Sequence, residues 1–213
     1  DAMQNKIDGG APYWRVALQH NHQGHYGAVG SFGMRANVNP QRMQGAGTDQ
    51  YTDFGFDATY QYLTNPTHIF ELNATYIREN RDMNASMALG LAEKQNSSLD
   101  TVRIRTAYTF QQTYSLNLNY GQTSGTADNV IYSFADPISG SRSGRPNNQA
   151  FTAELSYAPF GKTVSTLASL ANLRLAAQYV HYFQFNGGIR NYDGLGRNAA
   201  GNDTLYLSAW LAF

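Results

Sequence analysis

The sequence predicts an all-β fold: an antiparallel, up-and-down transmembrane β-barrel segment with about nine strands in a single unit, residues 1–213. Nine segments alternate apolar and polar residues with the period of two that a half-buried strand requires. Charged residues make up only 14% of the chain and aromatic residues 13%, whereas soluble domains carry about 25% charged residues. No apolar run approaches the ~20 residues of a membrane-spanning helix. These observations favour a sheet with one apolar and one wet face.

The strands are predicted from this alternation, and most of them reach the ~9–11 residues that a tilted membrane strand needs. The last strand, Leu205–Phe213, has the clearest pattern, because every second residue from Leu205 is apolar and the row ends on an aromatic side chain. Closing strands of outer-membrane barrels have this character. In chain order we predict strands at 13–20, 25–38, 51–62, 68–79, 101–110, 114–122, 151–158, 173–185 and 204–213.

Nearly all charges within these strands fall on one face, which we predict to line the interior of the barrel. On the strand at 25–38 this assignment puts Ala28, Phe32 and Met34 on the opposite, apolar face. Interior charges either set ion selectivity along a solute path or crosslink a polar interior. Opposite signs nearly balance, which favours the crosslinking role slightly. The predicted interior-lining residues are Arg15, Arg35, Asp53, Asp57, Glu71, Arg103, Arg105, Glu154 and Arg174.

Short and long connections mostly alternate along the chain, as periplasmic turns and extracellular loops do in outer-membrane barrels. With the C-terminus on the periplasmic side, aromatic residues gather at the periplasmic rim, where such girdles mark the bilayer interface. Nine strands is an odd number, and the first and last would run in the same direction. We therefore expect at least one further strand upstream, in a larger barrel. The predicted rim residues are Tyr26, Tyr62, Phe70, Phe110, Tyr114, Tyr157 and Phe213.

Several stretches resemble the C-terminal half of porin-like outer-membrane proteins of Gram-negative bacteria, a family often labelled cytochrome c. The resemblance covers nearly the whole chain, and its most specific part is the last thirty residues, with Asn191-Tyr-Asp-Gly-Leu-Gly-Arg-Asn198 and the strand that follows. Phe185–Gly188 also belongs to this most specific part. The shorter matching stretches are His25–Gly33, Tyr51–Tyr62, Tyr76–Asn80, Asn96–Thr101, Gly125–Asp128 and Glu154–Pro159.

The resemblance implies a bacterial outer-membrane location, contact with membrane lipid, and a haem-attachment Cys-x-x-Cys-His near the N-terminus of the parent protein. This chain contains no cysteine, so no covalent haem c can attach to these residues. Haem c is therefore expected only in an upstream portion. With it the barrel would be a sheath for electron transfer to periplasmic electron carriers, and without it a simple pore.

Other chemistry is weakly indicated. His20, His22 and His25 surround one turn, form the only histidine cluster of the sequence and are weak candidates for a metal or haem-iron site, but a polar turn explains them better. Fifteen basic and fifteen acidic residues give no reason to expect a nucleic-acid partner. No nucleophile-elbow or phosphate-loop motif is present, so we predict no enzyme activity. Two alternatives remain: a self-contained small barrel that binds or passes a ligand, and a soluble β-sandwich binding module.

Overall fold

The structure, a computed structural model, describes residues 5–43, 45–136, 140–160 and 172–212. They form one antiparallel sheet of ten strands, a short helix α1 (Asn84–Ala88) and two 3₁₀ turns at Pro40–Arg42 and Ala199–Asn202. None of the described helices is long and apolar enough to cross a membrane. The strands are β1 (Lys6–Asp8), β2 (Tyr13–His22), β3 (His25–Asn39), β4 (Asp49–Asn65), β5 (His68–Asp82), β6 (Asn96–Phe110), β7 (Tyr114–Gly125), β8 (Asn148–Tyr157), β9 (Asn172–Gln184) and β10 (Thr204–Ala212).

The predicted all-β, antiparallel architecture is confirmed, and each of the nine predicted strands corresponds to one of β2 to β10. Strand β1 is the addition. It continues the edge position of β2, because residues 6–8 pair with residues 37–39 of β3 while residues 13–22 pair with residues 25–34. The final residue of the predicted last strand, Phe213, lies outside the described residues. The sheet therefore has nine strand positions in the order of the sequence.

The sheet is not closed within the described residues. Its edges are β10, which pairs only with β9, and the β1–β2 edge, which pairs only with β3. Because neighbours alternate in direction across nine positions, β2 and β10 run the same way. Antiparallel closure would need an odd number of further strands between them.

The tight turns lie together at one end of the sheet. This hairpin end carries the turns 23–24, 66–67 and 111–113, and also connection 158–171, of which residues 161–171 lie outside the described part of the chain. The opposite, loop end carries connections 40–48, 83–95, 126–147 and 185–203. Buried apolar side chains of the described residues gather at the loop end, among them Met83, Tyr192 and Ala199. Among the described residues no second layer lies against the sheet, so this part of the chain does not have the two packed sheets of a β-sandwich.

The two faces of the sheet differ sharply in chemistry. We call the apolar face the side that carries Leu18, Phe56 and Ile104, and the polar face the side that carries Arg15 and Asn73. Large side chains on the apolar face are uncovered, with Leu18 74% and Leu207 76% exposed. Soluble monomers seldom expose an apolar surface that extends across a whole sheet.

Strand β3 corrects one predicted lining residue. Arg35 lies opposite Thr52 of β4, in the same row as Gly33 and Phe54, so it belongs to the apolar face and not to the predicted interior face. It sits at the loop end, two residues beyond Gly33. Ala28, Phe32 and Met34 accordingly lie on the polar face.

Small residues explain this reversal. Gly27, Ser31 and Gly33 hold apolar-face positions of β3. The Trp14 ring covers Gly33, where a Cβ would lie 2.6 Å from the indole nitrogen. On the polar face Phe32 fills the space above Gly55, where a Cβ would lie 2.4 Å from the Phe32 ring. Alternation alone cannot predict which face of such a strand is apolar.

Candidate functional site

A central band of the apolar face carries no charge at any described position. Every strand from β2 to β10 contributes to it, and its members include Val16, Val29, Ala58, Leu72, Ala74, Val102, Leu116, Leu155, Leu175 and Leu207. Charge burial in hydrocarbon is costly, so a strip of this kind suits a surface that contacts lipid tails.

Aromatic side chains border this band at the hairpin end and form what we call the hairpin girdle. The rings of Tyr114 and Tyr157 stack with centroids 5.1 Å apart, and Tyr60 lies 6.3 Å from Phe70. The hydroxyl groups of Tyr60 and Tyr108 hydrogen-bond the Nδ1 atoms of His25 at 2.8 Å and His68 at 2.7 Å. The girdle consists of His25, Tyr60, Tyr62, His68, Phe70, Tyr108, Phe110, Tyr114 and Tyr157.

Five of the seven predicted rim residues belong to this girdle. Tyr26 does not, because it lies on the polar face, where its hydroxyl donates to Gln19 Oε1 at 3.1 Å. Phe213 lies outside the described residues.

A second set of tyrosines borders the band at the loop end. Tyr76 donates its hydroxyl to Asp100 Oδ1 at 2.6 Å, and Tyr179 donates to Asp203 Oδ2 at 2.7 Å. The hydroxyl of Tyr120 donates to Gln122 Oε1 at 2.8 Å. In each case the partner lies nearer the loop end than the ring does.

The tyrosine hydroxyls thus point away from the centre of the band at both borders. An amphipathic ring that rests between an apolar and a wet region takes this orientation. Asp100 also accepts from Arg78 at 3.3 Å, so the first ion pair on this face stands at the border itself.

The height of the band follows from one strand. On β5 the polar groups that flank it are His68 and Arg78, ten residues apart on the same face. A rise of about 3.4 Å per residue separates them by ~34 Å along the strand. A barrel strand tilted by about 40° would project this length onto ~26 Å, close to the ~25 Å apolar band of outer-membrane barrels.

The polar face contains eight of the nine predicted lining residues, all except Arg35. Arg15 makes a two-point contact with Asp57, with Nη2 to Oδ1 at 2.6 Å and Nε to Oδ2 at 3.3 Å. This pair crosses over β3, and Gly30 leaves room for it: a Cβ there would lie 3.1 Å from Arg15 Nη2. Two further strands are bridged by Arg174 and Glu154 at 2.5 Å.

Arg103 and Arg105 are different, because no ion pair to either one occurs in the described part of the chain. Arg105 lies in a row between Asn73 and Asn119 and lines a polar depression with Glu71 and Glu154. The polar face therefore combines crosslinked charges with arginines that water reaches.

The three clustered histidines lie together at the hairpin end of the sheet. The side chains of His20, His22 and His25 all lie on the apolar face at the hairpin end, and Nδ1 of His25 already contacts Tyr60. Within the described ranges, no three His, Cys, Asp or Glu side chains are grouped so that they would hold a metal ion. Since the chain also lacks cysteine, these residues do not fit a c-type haem.

Carboxylates at the loop end hold the connections in place, and the sequence analysis did not find them. Burial of Asp128 opposes its ionisation, but four backbone N–H donors, from Glu93, Lys94, Val130 and Ile131, bond its two oxygens at 2.8–3.0 Å and lower its pKa. The sequence alone does not reveal this role of Asp128, because the amides that donate to it come from two different loops that meet only in the folded chain.

Asp203 plays a similar role beside β9. Burial opposes its ionisation, while hydrogen bonds from His181 Nδ1 at 2.7 Å, from the Tyr182 amide at 2.9 Å and from Tyr179 lower its pKa.

Comparisons of the chain with protein families, enzyme families included, with curated proteins and with solved structures find no match.

Proposed function

We propose that the protein is part of a porin-like barrel of the bacterial outer membrane, in which the apolar face contacts lipid and the polar face lines a water-filled pore. The observation that carries the proposal is the uncharged band between two sets of tyrosines whose hydroxyls point away from its centre. A protein partner would have to cover this band over its full height on every strand, whereas a lipid bilayer covers it without any specific contact.

The polar face supports passage of small polar solutes. Its ion pairs Arg15–Asp57 and Arg174–Glu154 link different strands. Among the described residues neither Arg103 nor Arg105 has an ion-pair partner, and Arg105 lies between Asn73 and Asn119. Charged side chains along a water-filled path set which ions pass. Because acidic residues lie near these arginines, we expect moderate rather than strict selectivity.

The open sheet supports a larger barrel. Within the described residues both edges of the sheet lack a neighbouring strand, and unpaired backbone groups cannot face hydrocarbon. An odd number of further strands would join β10 to β2, as the resemblance to the C-terminal half of porin-like proteins implies. Haem c and the sheath role would belong to that additional portion, and the residues described above supply no ligand for it.

Matched single-cysteine variants test the two faces. Ala176 and Ala177 are adjacent on β9 and point to the polar and apolar faces, respectively. The chain has no cysteine of its own, so Ala176→Cys and Ala177→Cys differ only in the face that they report. In vesicles, a charged water-soluble maleimide should label position 176, and a quencher attached to lipid tails should quench only a fluorophore at position 177.

Equal labelling of both positions by the charged maleimide would refute contact of the apolar face with lipid. Planar-bilayer recording then tests the pore itself. Stepwise ion conductance is expected from an open barrel. If the labelling is as expected but no conductance is seen, the barrel is a closed sheath rather than a pore.

A further inference from the structure

Two long loops meet at the loop end and enclose a cleft. The connection 126–147 supplies Arg142 and Ser143, and the connection 185–203 supplies Gly187, Arg190 and Tyr192, around a volume of about 280 Å³. The cleft has the size of a small solute, and it is separate from the polar depression on the sheet.

Hydrogen bonds between the loops make the walls rigid. The Arg142 amide donates to the Tyr192 carbonyl at 3.3 Å, and the Gly187 amide donates to the Asn147 carbonyl at 2.8 Å. Ser143 Oγ donates to the Gly187 carbonyl at 3.3 Å. A receptor that is held open in this way loses little conformational entropy when it binds a ligand.

Aromatic packing holds the wall beneath the cleft. Tyr192 is only 5% exposed, with its ring centroid 5.0 Å from that of Phe185 and 5.5 Å from the Arg197 guanidinium carbon. Gly187 has φ +80°, and a Cβ there would lie 2.2 Å from Ser143 Oγ. The position therefore requires glycine, and its backbone forms part of the surface.

The charge of the cleft is positive. Asp193 is occupied by Arg197, with Oδ2 to Nε at 2.6 Å, and Asp128 by backbone amides. Within the described ranges neither Arg142 nor Arg190 has an ion-pair partner. Two arginine residues thus line one small cavity, and within the described ranges no ion pair neutralises either of them.

We propose that this cleft binds a small soluble oxyanion, the phosphate or carboxylate group of a solute, between Arg142 and Arg190. Guanidinium groups match such anions with paired N–H donors, and the fixed backbone around Gly187 limits the size of the ligand. The site lies in the loops, so the proposal stands whether or not the sheet forms a pore.

Calorimetric titration of the purified protein in detergent with inorganic phosphate, at low chloride concentration, tests this proposal. Saturable binding is expected, and Arg142→Ala and Arg190→Ala should each weaken it about tenfold or more, because each removes hydrogen bonds to a charged group. Arg35→Ala is the matched control: it removes an unpaired arginine at the same end of the sheet and should change the affinity less than twofold. Unchanged circular dichroism verifies that each variant is folded.

Three results would overturn the proposal. They are the absence of saturable phosphate binding, equal weakening by the Arg35 variant, and unchanged affinity in both cleft variants. A further arm separates a solute from a lipid headgroup: dihexanoyl phosphatidate, used below its micelle concentration, should bind no better than inorganic phosphate. Binding of that lipid alone would contradict a site for soluble anions.

Discussion

Replacing Leu207 with arginine separates contact with lipid from contact with water by the size of the resulting loss of stability. Leu207 lies on the apolar face of β10 opposite Ala177, with 76% of its surface exposed. In water, a substitution at so exposed a position changes stability by less than about 0.5 kcal/mol. At the centre of a bilayer, arginine on the outside of a barrel costs about 2–4 kcal/mol.

The bilayer cost corresponds to a roughly thirty- to several-hundred-fold shift of the folding equilibrium, since about 1.4 kcal/mol is a factor of ten. Two neighbouring residues of the same face, Leu205 and Ala209, offer no polar atom that would offset it. The expected loss therefore lies near the upper part of the range if position 207 is at mid-membrane, and falls toward zero near either border.

Urea titration of folding into lipid vesicles measures this cost, and the folded fraction is read from the heat-dependent shift in gel mobility. Ser208→Arg is the matched control, because Ser208 is the next residue and points to the polar face. It should fold within about 0.5 kcal/mol of the unsubstituted protein. Leu207→Arg that folds as well as Ser208→Arg would refute the assignment of the apolar face to hydrocarbon.

Three more outcomes are expected. Arg105→Gln removes an unpaired positive charge from the polar face, so it should leave folding intact and raise cation over anion conductance in planar bilayers. Asp128 has a lowered pKa in the folded protein, so its contribution to loop order is full above the unfolded value of ~3.9 and is lost as pH falls below it. Amide hydrogen exchange should show this loss below about pH 4, and at neutral pH in Asp128→Asn. Gly187→Ala should lower loop stability by about 1–3 kcal/mol, because alanine is strained at φ +80°.

Unchanged selectivity in Arg105→Gln would exclude that side chain from the solute path. Equal acid sensitivity of exchange in Asp128→Asn and the unsubstituted protein would show that another group governs the loops. Gly201→Ala is the control for Gly187, since nothing lies within 4 Å of a Cβ there. Equal resistance of these two variants to proteolysis of the loops would contradict the argument from crowding.

The strands could be predicted because alternation is local. Nine positions of the sheet follow from every-second-residue patterns such as that of β10, and hydrogen bonding between neighbours follows from the short hairpin turns. Strands β3 to β8 extend further than predicted at the loop end. Strand β6 begins at Asn96 rather than 101, because polar residues outside the apolar band still complete the backbone ladder.

Strand β3 could not be assigned correctly from its own residues. The pattern Ala28, Phe32 and Met34 is the most apolar row of that strand, yet it lies on the polar face. The deciding fact is that Trp14 and Phe54 need small residues beside them on the other face. That requirement comes from neighbouring strands, so Arg35 was placed on the wrong face with the rest.

The loop sites were beyond sequence reasoning for a different reason. Arg142 and Arg190 are 48 residues apart, and no spacing rule connects them until two loops fold against each other. The same holds for Asp128 and the backbone amides that donate hydrogen bonds to it. Ion pairs such as Arg15 with Asp57 were foreseen only as a class, because the sign and face of each charge were evident but its partner was not.

The two unpaired edges, together with the uncovered apolar face, have a consequence for how the polypeptide reaches its destination. Free strand edges recruit further strands, including those of identical chains, and bare hydrocarbon side chains promote the same outcome. A sheet of this kind would precipitate if it assembled in water before it was enclosed. If the sheet enters a membrane as proposed above, its assembly requires either a holdase that keeps the nascent chain extended, or insertion that proceeds together with strand pairing.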